Sequence, residues 1–197
     1  MSQMIRAISA VFVIALSLML SPGVLSANPT TAAWEQFARG DAVLLLRHAL
    51  APGNGDPVNF QVKDCSTQRN LAQEGRAQAR QIGQRLRALG ISEARVWSSQ
   101  WCRCLETAKL LNLGEATELS GLNSFYELSE TREPNLRMLR AHLRDVARDG
   151  PPIILVTHYV TIGALMGTSV GSGEGVLARI DDDGGLTALT SVVFGVE

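Results

Sequence analysis

Two apolar runs, far apart in the chain, constrain the fold more than any other feature. The first is AVLLLR at residues 42–47, and the second is PIILVTH at residues 152–158. Both are apolar at consecutive positions, which is typical of a strand covered on both faces in a parallel sheet. The first run continues into Arg47 and His48, and the second ends at His158. A sheet buried on both faces requires helices on both sides, so the runs indicate an α/β fold.

The segments between these runs show helical and strand patterns in alternation. Apolar residues at steps of three and four predict a helix over 70–90 that ends at Gly90. We predict further helices over 101–114 and 136–150 and from 160, a strand over 94–99, a loop over most of 117–135, and a terminal hairpin over 175–194. The expected fold is a three-layer sandwich whose central sheet is mostly parallel, with the hairpin as an antiparallel edge. Asp181, Asp182 and Asp183 precede a glycine pair, which favours a solvated turn over a metal site.

The N-terminus has the layout of a secretory signal peptide. Arg6 is followed by an apolar run from Ala7 to Leu20, a break at Pro22, and small residues at Ser26 and Ala27. We therefore predict a signal peptide over 1–27, a mature domain over 28–197, and a periplasmic or secreted location. An uncleaved anchor is the alternative, but the run is shorter than the ~20 residues of a spanning helix. Cleavage would leave no stably inserted segment.

Charge and cysteine content limit the partners and the compartment. The formal net charge is −1, so the sequence gives no reason to expect nucleic acid or an acidic membrane surface as a partner, and it does not specify an oligomeric state. Export to an oxidising compartment makes one disulfide plausible among Cys65, Cys102 and Cys104. Cys102 and Cys104 would point apart on a helix, so we expect Cys65 to pair with one of them. Three unpaired core cysteines are the alternative.

Polar side chains follow both apolar runs. The carboxyl ends of strands in an open α/β sheet form the ligand-binding edge, so His48 and His158 should face one ligand if their strands are neighbours. A third stretch, VWSSQWCRCLETA at 96–108, places Arg103 and Thr107 one turn apart near a helix start. An arginine opposes the helix dipole there unless an anion is bound. These residues therefore predict an anion site, with phosphate as the natural ligand.

Together these stretches resemble the histidine phosphatase superfamily, which includes phosphoglycerate mutase-like and acid phosphatase branches. The resemblance lies in Arg47–His48, SSQWCRCLETA, LVTH, and a helix with Leu-x-x-x-Gly-x-x-x-Ala spacing, and it spans about residues 41–180. It implies a phosphoglycerate mutase-like fold and covalent phosphoryl transfer through His48. Arg47, Arg103 and His158 would then bind the phosphoryl oxygens. This scheme requires no metal and no organic cofactor.

The resemblance also implies a carboxylic acid that protonates the leaving group. Glu127 is the first candidate and Glu130 and Glu174 are weaker ones, although each could be a solvated loop residue. Arg69 could extend the basic site or be structural. The family usually has glycine where this chain has Ala49, so we expect a slightly tighter pocket. The loops 50–66 and 120–135 should overhang the site, and His142 is expected at the surface.

Other phosphate chemistries lack their motifs here. No cysteine stands five residues before an arginine in one loop, and no phosphate-binding Gly-x-x-x-x-Gly-Lys loop occurs. The serine-hydrolase pattern GTSVG at 167–171 follows a helix, where a nucleophile elbow follows a strand. We therefore predict an exported phosphomonoesterase acting on a small polar phosphoester. The alternative is a protein of the same fold that binds or senses a phosphorylated ligand without turning it over.

Overall fold

The computed structural model describes residues 29–147 and 149–195. In this part of the chain, six strands form one sheet with the order β3-β2-β4-β1-β5-β6. The strands are β1 (Ala42–Arg47), β2 (Arg95–Ser98), β3 (Ala116–Glu118), β4 (Ile153–Thr157), β5 (Gly175–Ile180) and β6 (Leu186–Val192). The helices are α1 (Pro29–Ala38), α2 (Gln73–Ala88), α3 (Cys102–Leu111), α4 (Arg132–Asp145) and α5 (Tyr159–Met166), with short 3₁₀ helices at Cys65–Thr67, Ser120–Leu122 and Ser129–Thr131.

The two apolar runs are neighbouring strands at the centre of the sheet. β1 pairs with β4 in parallel, with Leu44 opposite Ile154 and Arg47 opposite Thr157. β4 and β3 also pair in parallel with β2. The terminal hairpin adds β5 antiparallel to β1, and β6 pairs antiparallel with β5. The predicted mostly parallel sheet and its antiparallel edge are confirmed.

Helices cover both faces of the sheet and bury alternate residues of the central strands. On one face, α1, α2 and α3 pack against the side chains of Leu44, Leu46 and Ile154. On the other face, α4 and α5 pack against Val43 and Leu45. Both faces of β1 are therefore buried, which explains its apolar residues at consecutive positions.

The structure differs from the sequence prediction in several elements. The short edge strand β3 overlaps the start of the loop predicted over 117–135, and α1 has no counterpart in the prediction. α4 begins at Arg132, four residues before the predicted start, because Pro134 lies in the first turn, where a missing N–H leaves no hydrogen bond unmade. The same helix ends at Asp145 because Val146 is extended. This change of direction lets the Ala147 carbonyl accept a hydrogen bond from Arg95.

Other predictions concern the termini, the acidic turn and His142. The signal peptide at 1–27 lies outside the described residues, and no helix within the described ranges is long and apolar enough to cross a membrane. The acidic run forms the β5–β6 turn, where the Gly184 N–H donates to the Asp181 carbonyl.

The surface assignment of His142 is wrong, since its ring packs edge-on at 4.6 Å from the Trp97 ring and is half-buried. Burial of that ring lowers the pKa of His142.

Candidate active site

Two imidazole rings meet at the carboxyl end of the sheet. His48 follows β1 and His158 follows β4, and their ring centroids lie 5.5 Å apart. Both rings are nearly inaccessible, at 1% and 2% exposure. Because β1 and β4 are parallel neighbours in register, residues that follow them by one position must emerge side by side. The structure thus brings together the two histidines that the sequence singled out.

The hydrogen bonds of His48 define which ring nitrogen carries the proton and which has the lone pair. Its Nδ1 lies 2.8 Å from the Ala49 carbonyl oxygen, which only accepts, so Nδ1 carries the proton. Its Nε2 accepts a hydrogen bond from Nε of Arg103 at 3.3 Å and therefore has a lone pair. Burial is the main cause that lowers the pKa of His48 to about 3. The guanidinium groups of Arg103, Arg47 and Arg69 act in the same direction, and the hydrogen bond to the Ala49 carbonyl opposes them. At neutral pH the ring is thus uncharged, with a lone pair on Nε2.

Arg103 lies in the first turn of α3 and is held by a carboxylate that the sequence analysis missed. Its Nη1 donates to both carboxylate oxygens of Asp56, at 2.8 and 3.0 Å. The two side chains are 3% and 0% exposed. The Asp56 carboxylate also accepts from Nε1 of Trp101 at 2.9 Å and from the Arg69 backbone N–H at 2.9 Å. Asp56 therefore fixes the direction of the Arg103 guanidinium.

The ionisation of Asp56 follows from these contacts. Burial alone would raise the pKa of Asp56, but the hydrogen bonds from Arg103, Arg69 and Trp101 outweigh burial and lower it. A buried arginine needs a counter-charge, and this requirement was the one signal in the sequence that could have pointed to Asp56. It does not choose among the acids of the loop 50–66, because the path of a loop has no periodicity.

Arg47 has donors left for an anion. It is half-buried, and its Nη1 donates to the Val170 carbonyl at 2.8 Å. Its Nε is buried and has no hydrogen-bond partner among the described residues. A buried N–H without an acceptor is costly, so this donor favours a ligand that brings an oxygen to it. The guanidinium carbon lies 5.1 Å from the ring centroid of Tyr159.

The overhanging loops bring Arg69 and Glu127 to the same space. Both line a small cavity with His48, Arg103 and His158. Arg69 donates from Nε to the Gly55 carbonyl at 2.8 Å and from Nη1 to the Ala51 carbonyl. Oε1 of Glu127 accepts from the Asp56 backbone N–H at 2.7 Å. Two further residues of the cavity lining, Tyr126 and Tyr159, were not expected from the sequence.

The weaker acid candidates lie apart from this cavity. Glu130 belongs to the 3₁₀ helix Ser129–Thr131 and is not among the residues that line the cavity. Glu174 is not a lining residue either, and its Oε2 accepts from the Gly171 backbone N–H at 2.6 Å. Glu127 is therefore the candidate acid that the loops bring to His48.

Several neighbours hold the two histidines in place. Nε2 of His158 lies 2.9 Å from Oγ of Ser99 and 3.4 Å from Sγ of Cys104. Burial lowers the pKa of His158 well below its usual value, so this ring is also neutral. Burial raises the pKa of the Cys104 thiol to about 12, so it is not a thiolate at neutral pH. Cys104 was one of the two candidate partners of Cys65. In the structure it is a free, buried cysteine.

A hydrogen bond joins Ala49, which directly follows His48, to Thr107 of α3. The Ala49 N–H donates to Oγ1 of Thr107 at 3.0 Å, and that hydroxyl donates to the Arg103 carbonyl at 2.7 Å. The side chain of Ala49 is fully buried in a small apolar cluster with Ala51, Leu71 and Ala79. Ala49 is not among the residues that line the cavity, and its methyl group packs into this cluster.

The disulfide joins the overhanging loop to the start of α3. Cys65, in the first 3₁₀ helix, bonds to Cys102, and the two are 37 residues apart in the chain. Cys102 directly precedes Arg103, so the bond ties the segment that carries Arg69 to the helix that carries Arg103. Within residues 29–147 and 149–195, no group of three or more histidine, cysteine or acidic residues could hold a metal ion.

Comparisons with known proteins agree with this fold. The family model for the histidine phosphatase superfamily (branch 1) matches residues 43–131. The structure of the protein histidine phosphatase SixA complexed with tungstate is similar, with a TM-score of 0.55, 16% identity, and coverage of 78% of this chain and 97% of that one. Phosphoserine phosphatase from Entamoeba histolytica in complex with 3-phosphoglyceric acid gives a TM-score of 0.53, 15% identity, and coverage of 76% and 95%. No curated protein sequence matches the chain.

Fold and site together define a three-layer α/β domain in which a histidine pair and two arginines meet at the carboxyl edge of the sheet. Residues 43–131 match the model of the histidine phosphatase superfamily, and the fold is shared with solved phosphatases, so this is the family that the chain resembles. The predicted phosphoglycerate mutase-like fold is confirmed.

Proposed function

We propose that this protein is an exported phosphomonoesterase that hydrolyses a small polar phosphoester through a phosphohistidine on His48. The observation that carries the proposal is the hydrogen bonding of His48. Its Nδ1–H donates to the Ala49 carbonyl, and its Nε2 has its lone pair toward Arg103. A neutral imidazole held in this tautomer is ready to attack phosphorus.

In the first step, Nε2 of His48 forms a bond to phosphorus and the ester P–O bond breaks. The leaving oxygen takes the bond's electron pair and accepts a proton, for which Glu127 is the candidate donor. In the second step, water attacks the phosphohistidine, the P–N bond breaks, and inorganic phosphate leaves with the histidine neutral again. The same carboxylate can accept the proton that the water loses.

Three groups would bind the phosphoryl oxygens during both steps. Arg47 offers an unpartnered Nε–H, Arg103 lies against the attacking nitrogen, and His158 lies across from the nucleophile. Because these donors are fixed before the substrate arrives, they can stabilise the negative charge without reorganising. Arg69 extends the positive charge toward the mouth of the cavity. No step of this scheme needs a metal ion.

Two features support export. The first 27 residues have the layout of a cleaved leader. The Cys65–Cys102 bond is of the kind that persists in an oxidising compartment. We propose a periplasmic or secreted location on these grounds. N-terminal sequencing of the exported protein tests it, with a mature start near residue 28 as the expected result.

The test of the reaction is phosphoenzyme formation on the purified mature protein. Incubation with an aryl phosphate should add one acid-labile phosphoryl group, detected by intact mass. His48→Ala should remove both this group and at least roughly a thousandfold of the turnover rate. His142→Ala is the matched control, since this third histidine packs against Trp97 outside the cavity. Tight binding of phosphoesters without turnover would instead favour the binding or sensing alternative.

A further inference from the structure

Two tyrosines stand at the mouth of the cavity, next to the space for the phosphoryl group. Tyr126 lies in the loop before α4, and Tyr159 is the first residue of α5. Both line the cavity that contains His48 and His158. Their ring centroids are 6.0 Å apart, with an interplanar angle of 57°. We call Tyr126 and Tyr159 the aromatic wall.

The aromatic wall is exposed although its side chains are large and mostly apolar. Tyr126 is 51% exposed and Tyr159 is 39% exposed, whereas Trp101 beneath the same site is 2% exposed. Exposed aromatic rings that lie together beside a site of chemistry are typical of a surface that contacts a ligand. Neither tyrosine is needed to fill the hydrophobic core, since neither belongs to the core clusters.

Both rings are held in position without being buried. The Arg47 guanidinium lies over the Tyr159 ring. The Tyr126 ring lies over Gly55, since a methyl group added there would be 3.5 Å from it. The Tyr126 backbone N–H also donates to Oγ of Ser124 at 3.2 Å. A surface fixed in this way loses little conformational entropy when a ligand binds.

The remainder of the cavity lining is polar. Arg69, Arg103, Ser124 and Glu127 offer charges and hydrogen bonds but little apolar surface. The atoms of a substrate that extend beyond the phosphoryl group therefore meet aromatic faces on one side of the mouth. A ring that carries the phosphate directly would place its flat face within reach of this wall, whereas a short acyclic chain presents no such face.

We propose that the aromatic wall is a leaving-group subsite for ring-bearing phosphomonoesters, in which the phosphate is attached directly to an aryl or sugar ring. The inference rests on the proposed phosphatase function and names its substrate class. Aryl and sugar rings share one property here: each presents a ring face with apolar C–H or π surface to the tyrosines. Tyr126 and Tyr159 act here as specificity-determining residues, because they contact the part of the substrate that distinguishes one ester from another.

Three substrates on the purified mature protein test the proposal: phenyl phosphate, a pyranosyl phosphate and glycerol phosphate. For Tyr126→Ala and Tyr159→Ala, kcat/KM should fall roughly three- to tenfold on at least one ring substrate. For Tyr126→Ala it should change less than about twofold on glycerol phosphate, whereas Tyr159→Ala also removes the ring that lies against the Arg47 guanidinium and is expected to lower activity on all three substrates. Tyr126→Phe and Tyr159→Phe keep the rings and should keep the ring-substrate activity. Leu89→Ala removes another exposed apolar side chain, away from the cavity, and is the control.

The pattern of losses distinguishes the possible outcomes. A loss on phenyl phosphate alone assigns the wall to aryl esters, and a loss on the pyranosyl phosphate alone assigns it to sugar esters. For Tyr126→Ala, equal losses on all three substrates, or none, overturn the subsite while the phosphatase function stands. Because each variant is compared with wild type on the same substrate, differences in leaving-group reactivity cancel.

Binding provides a second readout that does not depend on turnover. Phenylphosphonate should bind the wild type more tightly than methylphosphonate does, and Tyr126→Ala should remove this preference. If the wild type hydrolyses none of the three esters, the proposed phosphatase function fails, and the phosphonate comparison still decides the subsite. Equal dissociation constants for the two phosphonates on the wild type would overturn it.

Discussion

Asp56 links three parts of the site through one residue. Its carboxylate holds Arg103 and accepts from Trp101, and its backbone N–H donates to Glu127. The direction of the guanidinium and the place of the candidate acid therefore both depend on it. Its side chain is completely buried, so no water can replace the carboxylate at Arg103.

Asp56→Asn tests this role at the residue scale. The amide keeps the size of the side chain but loses its charge and turns one acceptor into a donor that faces Arg103. We expect kcat/KM to fall by roughly a hundredfold, as when a fixed oxyanion donor is lost. Steady-state kinetics on the folded variant measure the loss.

Asp64→Asn is the matched control, because Asp64 is exposed and its side chain accepts hydrogen bonds from the backbone N–H and hydroxyl of Ser66. Its kcat/KM should stay within about twofold of wild type, as is usual for surface substitutions. An Asp56→Asn protein with wild-type kcat/KM and a normal thermal midpoint would show that Arg103 needs no carboxylate to hold it.

At the scale of elements, α2 packs so closely on its neighbours that two of its glycines admit no side chain. A methyl group at Gly75 would overlap the Leu50 carbonyl, two residues beyond His48. One at Gly83 would overlap the Leu111 carbonyl at the end of α3. These contacts are with backbone, which cannot turn aside as a side chain can. Gly75 and Gly83 therefore set the distance from α2 to the loop and to α3.

Gly83→Ala should destabilise the protein although alanine favours helix. The gain of about 1 kcal/mol in helix propensity is smaller than the roughly 1–3 kcal/mol or more that overpacking costs. Chemical denaturation gives the free energy of unfolding. Gly163→Ala in α5 is the control, because the nearest atom to an added methyl is the Thr168 carbonyl oxygen at 3.6 Å. That variant should be neutral or more stable, and equal destabilisation of both would contradict the packing argument.

The disulfide also connects two elements. It links the overhanging loop to α3 across 37 residues of the chain. By loop-closure entropy, a bond of this span contributes about 3–4 kcal/mol. A Cys65→Ser/Cys102→Ser protein should therefore melt at a lower temperature in scanning calorimetry. Cys104→Ala removes only a buried thiol and should still respond to a reductant as wild type does. A wild-type protein whose melting is unchanged by complete reduction would argue against this contribution.

At the scale of the whole molecule, the buried histidines couple stability to pH. Burial lowers the pKa of His48 from 6.5 to about 3, and it lowers the pKa of His158 well below 6.5. At a pH between the pKa of a histidine in the folded protein and its pKa in the unfolded chain, the unfolded chain binds more protons than the native protein. Stability is therefore highest above the unfolded pKa and falls as pH decreases from there.

Denaturant titrations at several pH values measure this coupling. From pH 6.5 toward pH 3, each neutral histidine should lower the free energy of unfolding by up to about 1.4 kcal/mol per pH unit. His48→Asn removes one of the two groups and should give a shallower slope in the same range. A slope that is identical in wild type and variant would mean that His48 titrates in the folded protein as it does when unfolded.

The sequence determined the elements whose side chains follow a regular strand or helix pattern. The apolar residues of β1 and β4 predicted a covered sheet, and strand direction then placed His48 and His158 at one edge. The glycine and leucine spacing of α2 predicted its buried face. These inferences succeed because strand and helix periodicities are local, and because parallel neighbours leave the sheet at a common edge.

Only the tertiary structure decided which loop residues reach the site. It selected Asp56 as the partner of Arg103, placed Glu127 at the cavity mouth in preference to Glu130 and Glu174, and set Tyr126 beside Tyr159. A loop has no repeating pattern, so the positions of its side chains depend on the path of the backbone between its anchors. Contacts between two such loops, far apart in the chain, arise only when the sheet has brought their anchors together.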